Sequence, residues 1–127
     1  MEKYKIAHTM IRVLDPEKSV DFYKKALGFN VDRIEKHPED KYDLIFLSDP
    51  DHTAQIELTY NYGHEPYELG TGYGHLAVFT DDLLKSWQEH KDAGYNPGSY
   101  LRPDGSEKGY YFISDPDGYD IEIVQAK

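Results

Sequence analysis

Four residues of this 127-residue chain, His8, Glu57, His75 and Glu122, combine metal-binding side chains with a spacing that sorts them into two matching sets. Each lies in a strand-like alternation. Glu57 sits in Ile56-Glu57-Leu58 and Glu122 in Ile121-Glu122-Ile123, so the aliphatic neighbours claim a core face and each carboxylate takes the opposite one. Glu is disfavoured in strands, and strand formation does not call for it here. His8 falls in the pattern that starts at Lys5, and His75 opens His75-Leu76-Ala77-Val78. Two imidazoles and two carboxylates form a nitrogen and oxygen ligand set for a borderline divalent metal: Zn, Ni, Co, Mn or Fe. The chain has no cysteine, so any metal must be held by His, Asp or Glu.

The elements that must position these residues repeat along the chain. Lys5 to Leu14 reads as a strand, and Asp15-Pro16 opens a helix that Gly28 terminates. Strand patterns follow at Phe29 to Glu35, Tyr42 to Leu47 and Ala54 to Tyr60. From His75 the plan returns: a strand to Phe79, a helix over Asp82 to Ala93, and strands at Tyr110 to Ile113 and Tyr119 to Val124. His8 and His75 are 67 positions apart, as are Ser19 and Ser86, while Gly28 and Gly94 differ by 66. Ser48-Asp49-Pro50-Asp51 recurs 66 positions on, and Ile56-Glu57-Leu58 matches Ile121-Glu122-Ile123 at 65. Agreement over the whole half-length, with single-residue slips, indicates two βαβββ copies. The expected fold is therefore α+β, one domain over 1–127, with a first half over about 4–61 and a second over about 74–125. Asn96 to Lys108 reads as a Gly/Pro-rich loop or hairpin.

The repeat separates these four residues from the remaining histidines. His37, His52, His64 and His90 have no His at the equivalent position and are read as surface residues. Arg12 follows His8 by four positions and Asn61 follows Glu57 by four, so each falls on its ligand's strand face, roughly 13 Å further along. That distance suits one end of an extended, charged, peptide-like substrate whose other end reaches the metal.

Composition narrows the partners. A formal charge of −10 disfavours nucleic acid, whose binding needs a basic face. An anionic small substrate would need local Arg or Lys. No apolar run approaches the ~20 residues that cross a bilayer, and MEKYKIAHTM has no signal-peptide hydrophobic region. No membrane association and a cytoplasmic location are expected.

The stretches HTMIRVLDPEKSVDFYKKALGF, QIELTYNYG, YELGTGYGHLAV and KGYYFISDPDGYDIEIVQ resemble the lactoylglutathione lyase (glyoxalase I) branch of the vicinal oxygen chelate superfamily. Glu57 within IELTYN and His75 within GYGH are the marks of that branch. The resemblance implies a paired βαβββ fold of the glyoxalase/bleomycin-resistance type and one divalent metal per site, bound by His8, Glu57, His75 and Glu122. It further implies a homodimer with shared sites, His8 and Glu57 coming from one chain and His75 and Glu122 from the other. His at the first ligand position favours Ni or Co, with Zn the alternative. Arg12 and Asn61 would hold the γ-glutamyl end of glutathione, and Lys108 would meet its glycyl carboxylate. Thr71 departs from the pattern, standing where some longer relatives carry a basic residue.

The implied activity is isomerisation of the methylglyoxal–glutathione hemithioacetal to S-lactoylglutathione, a detoxification of methylglyoxal, through a metal-bound enediolate. Glu122 would be the base and Glu57 its symmetric counterpart. The rivals are another metalloenzyme of the superfamily (a thiol transferase or dioxygenase) and a metal-free drug-binding resistance protein. The first needs only three protein ligands, and the second would expect apolar residues at some of the four positions.

Overall fold

A computed structural model describes residues 3–127. The chain divides into two compact units, the first ending at Glu68 and the second running Leu69–Lys127. Among the described residues no helix is long and apolar enough to cross a membrane.

The first unit runs β1 (Thr9–Arg12), α1 (Pro16–Leu27), β2 (Asn30–His37), β3 (Tyr42–Ser48) and β4 (Gln55–Asn61). Its sheet has the order β1-β4-β3-β2, with β1 parallel to β4 and the other pairs antiparallel. Asp15 caps α1, its carboxylate accepting from the amide of Lys18 at 3.2 Å. Gly28 ends the helix at φ 72°, a left-handed conformation that glycine adopts without steric cost. The helix buries Ser19, Phe22 and Tyr23, and the Tyr23 ring stacks on Phe29 with centroids 6.1 Å apart. Alternation sends Val13, Ile45, Leu47, Ile56 and Leu58 into the same core.

β1 is shorter than the pattern from Lys5 predicts. Its only ladder is with β4, running from Thr9 opposite Ile56 to Arg12 opposite Thr59. Because β4 begins at Gln55, residues 3–7 find no partner strand among the described residues.

The second unit runs β5 (His75–Thr80), α2 (Leu83–Asp92), β6 (Tyr110–Ser114) and β7 (Asp120–Gln125), in a sheet of order β5-β7-β6. Asp82 caps α2 as Asp15 caps α1, accepting from the Lys85 amide at 3.1 Å. Ile113, Ile121, Ile123, Tyr111, Tyr119 and Leu83 form the core. The two sheets and two helices give the α+β fold expected, with one difference. Where the first unit has β2, the second has the loop over 96–108, whose one described bridge joins Leu101 to Glu107. Pro97 and Pro103 lack the amide that a ladder needs, and Gly98 and Gly105 weaken extended structure.

His90 is the misread histidine. It is 7% exposed, and its Nδ1 lies 2.7 Å from the Tyr111 hydroxyl, which also lies 2.6 Å from Ser86 Oγ. This buried contact fastens α2 to β6. It replaces Tyr23, the residue at the equivalent place in the first helix, so identity across the repeat was the wrong test of burial. Tyr111→Phe should cost the buried His90 and the half-buried Ser86 a hydrogen bond each and lower unfolding stability by about 1–3 kcal/mol. Urea denaturation measures this directly, and an unchanged midpoint would show that the contact is not stabilising.

Candidate metal centre

In each unit the strand register places one histidine and one glutamate side by side. Met10 is the ladder partner of Glu57 in the first unit, and Ala77 is the partner of Glu122 in the second. His8 and His75 each precede that partner by two residues. Both therefore share the face of their Glu, opposite the core. His8 Nε2 stands 3.7 Å from Glu57 Oε2, with the two side chains 35% and 13% exposed. His75 Nε2 stands 3.3 Å from Glu122 Oε1, with 43% and 21% exposed. The imidazoles are thus the more open members of both pairs.

A phenylalanine accompanies each pair. Phe46 is the β3 partner of Glu57, and Phe112 the β6 partner of Glu122. Their rings meet the imidazoles edge to face, His8 on Phe46 at 5.5 Å and 78°, His75 on Phe112 at 5.2 Å and 85°. Sequence reasoning missed them, although the repeat relates them at an offset of 66. An aromatic residue in an alternating strand reads as core, and that hid the signal.

The donor chemistry fits a divalent metal. A nitrogen and an oxygen 3.3–3.7 Å apart are near enough for both to reach one ion at about 2.1 Å. Each unit, however, supplies only two donors. Among the described residues no three His, Asp or Glu side chains converge on one point. The four sequence-predicted ligands thus appear as two pairs, His8 with Glu57 and His75 with Glu122.

The substrate candidates divide between the units. Arg12 lies opposite Thr59 and Asn61 two residues beyond it, so both fall at one end of the first sheet. Asn61 Nδ2 donates to the Tyr67 hydroxyl at 3.1 Å, and Tyr67 stacks on His64. Lys108, in the second unit, donates to the Ser99 carbonyl at 3.1 Å and lies 5.7 Å from the Tyr110 ring centre. Thr71 lies in an exposed turn before β5. At the place that Arg12 holds in the first repeat, the second carries Phe79, 79% exposed.

A polar cluster at Ser48 does not have the order of a catalytic triad. Ser48 Oγ donates to Asp32 at 2.9 Å and faces His52 Nδ1 at 2.8 Å, so the serine stands between acid and imidazole, the reverse of a catalytic triad. Ser48 is also buried. Hydrogen bonds from Gln55 and then Ser48 hold the Asp32 carboxyl below its usual range.

A sequence model of the Glyoxalase/Bleomycin resistance protein/Dioxygenase superfamily matches residues 5–123, and the chain belongs to that superfamily. It is 42% identical to the lactoylglutathione lyase of Escherichia coli O157:H7 over 97% of this chain and 93% of that one. The trypanothione-dependent glyoxalase I of Leishmania major has a similar structure, with a TM-score of 0.85, 36% identity, and 97% and 87% of the two chains covered. Glyoxalase I from maize matches at a TM-score of 0.80 and 33% identity over 96% of this chain, which spans 44% of the maize chain.

If the pairs act as equals, His8→Ala and His75→Ala should weaken Ni²⁺ binding to the same extent, by about 100-fold or more. Competition against a chromophoric chelator measures both. Loss in one variant alone would mean that the pairs do not share an ion.

Proposed function

We propose that the protein is a metal-dependent lyase that isomerises the hemithioacetal of methylglyoxal and glutathione to S-lactoylglutathione. The observation that carries this reading is the duplicated His–Glu pair, at equivalent registers of both units, in a chain similar over nearly its whole length to a lactoylglutathione lyase. Neither superfamily rival has a use for the fourth donor. A metal-free binding protein has a use for none of them.

His8, Glu57, His75 and Glu122 would hold the divalent cation, Ni or Co before Zn. When bound, it supplies Lewis acidity that makes the substrate's carbon acid ionisable at useful rates. Each copy of the chain brings one pair of each kind, and a homodimer would complete a site with His8 and Glu57 of one copy and His75 and Glu122 of the other. Arg12 and Asn61 orient the γ-glutamyl end, and Lys108 receives the glycyl carboxylate. The net acidity of the chain gives those cations their importance, since a tripeptide anion would otherwise be repelled. A cytoplasmic setting, where such a thiol is reduced and abundant, completes the proposal.

Glu122 takes the proton from the carbon that bears sulfur, and electrons move onto the neighbouring carbonyl oxygen to give an enediolate. The same proton equivalent is delivered to the adjacent carbon, and the thiohemiacetal carbon becomes the thioester carbonyl. No oxidant, reductant or net proton is consumed. Glu57 is the symmetric carboxylate, placed to carry a proton on the other side.

Two substitutions separate chemistry from binding. Glu122→Gln should lower kcat by about 10²- to 10⁴-fold in a thioester absorbance assay with methylglyoxal and glutathione. Near-normal turnover would remove Glu122 as the base. Arg12→Ala should raise KM by about 10- to 100-fold with a smaller change in kcat, and an unchanged KM would remove Arg12 from the substrate site.

A further inference from the structure

We infer that Phe46 and Phe112 are positioning residues that hold His8 and His75 in the orientation a metal ion needs. This rests on the ligand assignment above.

The alternation of β3 argues that Phe46 is not there for the core. Ile45 and Leu47 already point to the helix side, and Phe46 faces the other way, opposite Glu57. It is nevertheless 3% exposed, and its ring meets His8 and Arg33. The Arg33 guanidinium carbon lies 3.7 Å from the ring centre, and Arg33 Nε donates to Glu35 Oε2 at 2.8 Å. Phe46 is therefore held by an ion-paired cation and in turn borders the imidazole.

The second unit builds the same device from different parts. Tyr110 meets Phe112 edge to face at 6.0 Å and 83°, with the Lys108 ammonium 5.7 Å from the Tyr110 ring centre. In both units a cation stands over an aromatic ring, and the series ends at a histidine paired with a glutamate. Two constructions that share an endpoint and differ in their means indicate that the endpoint matters.

Phenylalanine offers no donor or acceptor, so its effect must pass through the imidazole. An edge-to-face contact favours one ring orientation by excluding rotations about χ2 that would turn Nε2 away from the carboxylate. Ordering the ring before the ion arrives lowers the cost of binding it.

The test uses the full-length protein, first stripped of metal, with Ni²⁺ as the probe. Chelator competition gives its Kd for wild type, Phe46→Leu, Phe112→Leu and Phe112→Tyr. Each Leu variant should bind about three- to tenfold more weakly, and Phe112→Tyr, which keeps the ring, should stay within about twofold of wild type. In the metal-free protein, the His75 ring proton resonances should lose their ring-current shift in Phe112→Leu and keep it in Phe112→Tyr. Wild-type affinity in both Leu variants, or equal weakening in Phe112→Tyr, would overturn the inference. A His75 resonance in Phe112→Leu that keeps the wild-type ring-current shift would overturn it as well. A wild-type protein that takes up no Ni²⁺ would instead reject the ligand assignment beneath it.

Discussion

Parallel pairing of β1 with β4, and of β5 with β7, is the constraint on which the candidate site depends. Met10 opposite Glu57 and Ala77 opposite Glu122 fix each histidine two residues before its glutamate's partner. Side chains alternate strictly along a strand, so a slip of one residue would exchange Ile56 for Glu57 on the core face. That would bury a carboxylate and expose an aliphatic side chain, and both changes are costly. The hydrophobic core thus enforces the register, and the register presents the donors. Stability and ligand geometry come from one set of contacts.

Around that shared frame the two units have diverged. The first carries a fourth strand and a polar row that includes Arg12 and Thr59. The second replaces the strand with the loop over 96–108 and sets Phe79, Val124 and Tyr110 side by side across its three strands. The His–Glu pairs and their phenylalanines stay alike while the surroundings change. This division is what a duplicated fold permits: the proposed site draws its donors from both repeats, whereas the charged groups that would recognise a substrate are needed once.

The fold was legible because its signals are local and doubled. Asp caps, glycine stops and the paired SDPD turns each specify a boundary, and a second copy confirmed each at a nearly constant offset. Other features were not legible. The length of β1 depends on where β4 starts, which is a tertiary fact. Burial of His90 depends on Tyr111, a partner 21 residues away that compensates for the cost of burying an imidazole. The pairing of each His with its own Glu followed from register, and the phenylalanines beside them were concealed by their resemblance to ordinary core residues. Strand-face spacing nominated Arg12 and Asn61, and family resemblance added Lys108 and the proposed glutathione partners, because strand faces alone do not say what a cation meets.

The central claim, that one His–Glu pair from each of two copies makes a site, is tested most directly by complementation. His8→Ala and His75→Ala chains are each expected to be inactive alone. Coexpressed, a random mixture would be half heterodimer, each with one wholly intact site and one doubly damaged, so lyase activity should return to about a quarter of wild type. Sites built within single chains would give no recovery. A mixture as inactive as its parents, with heterodimers verified by mass, would contradict the account.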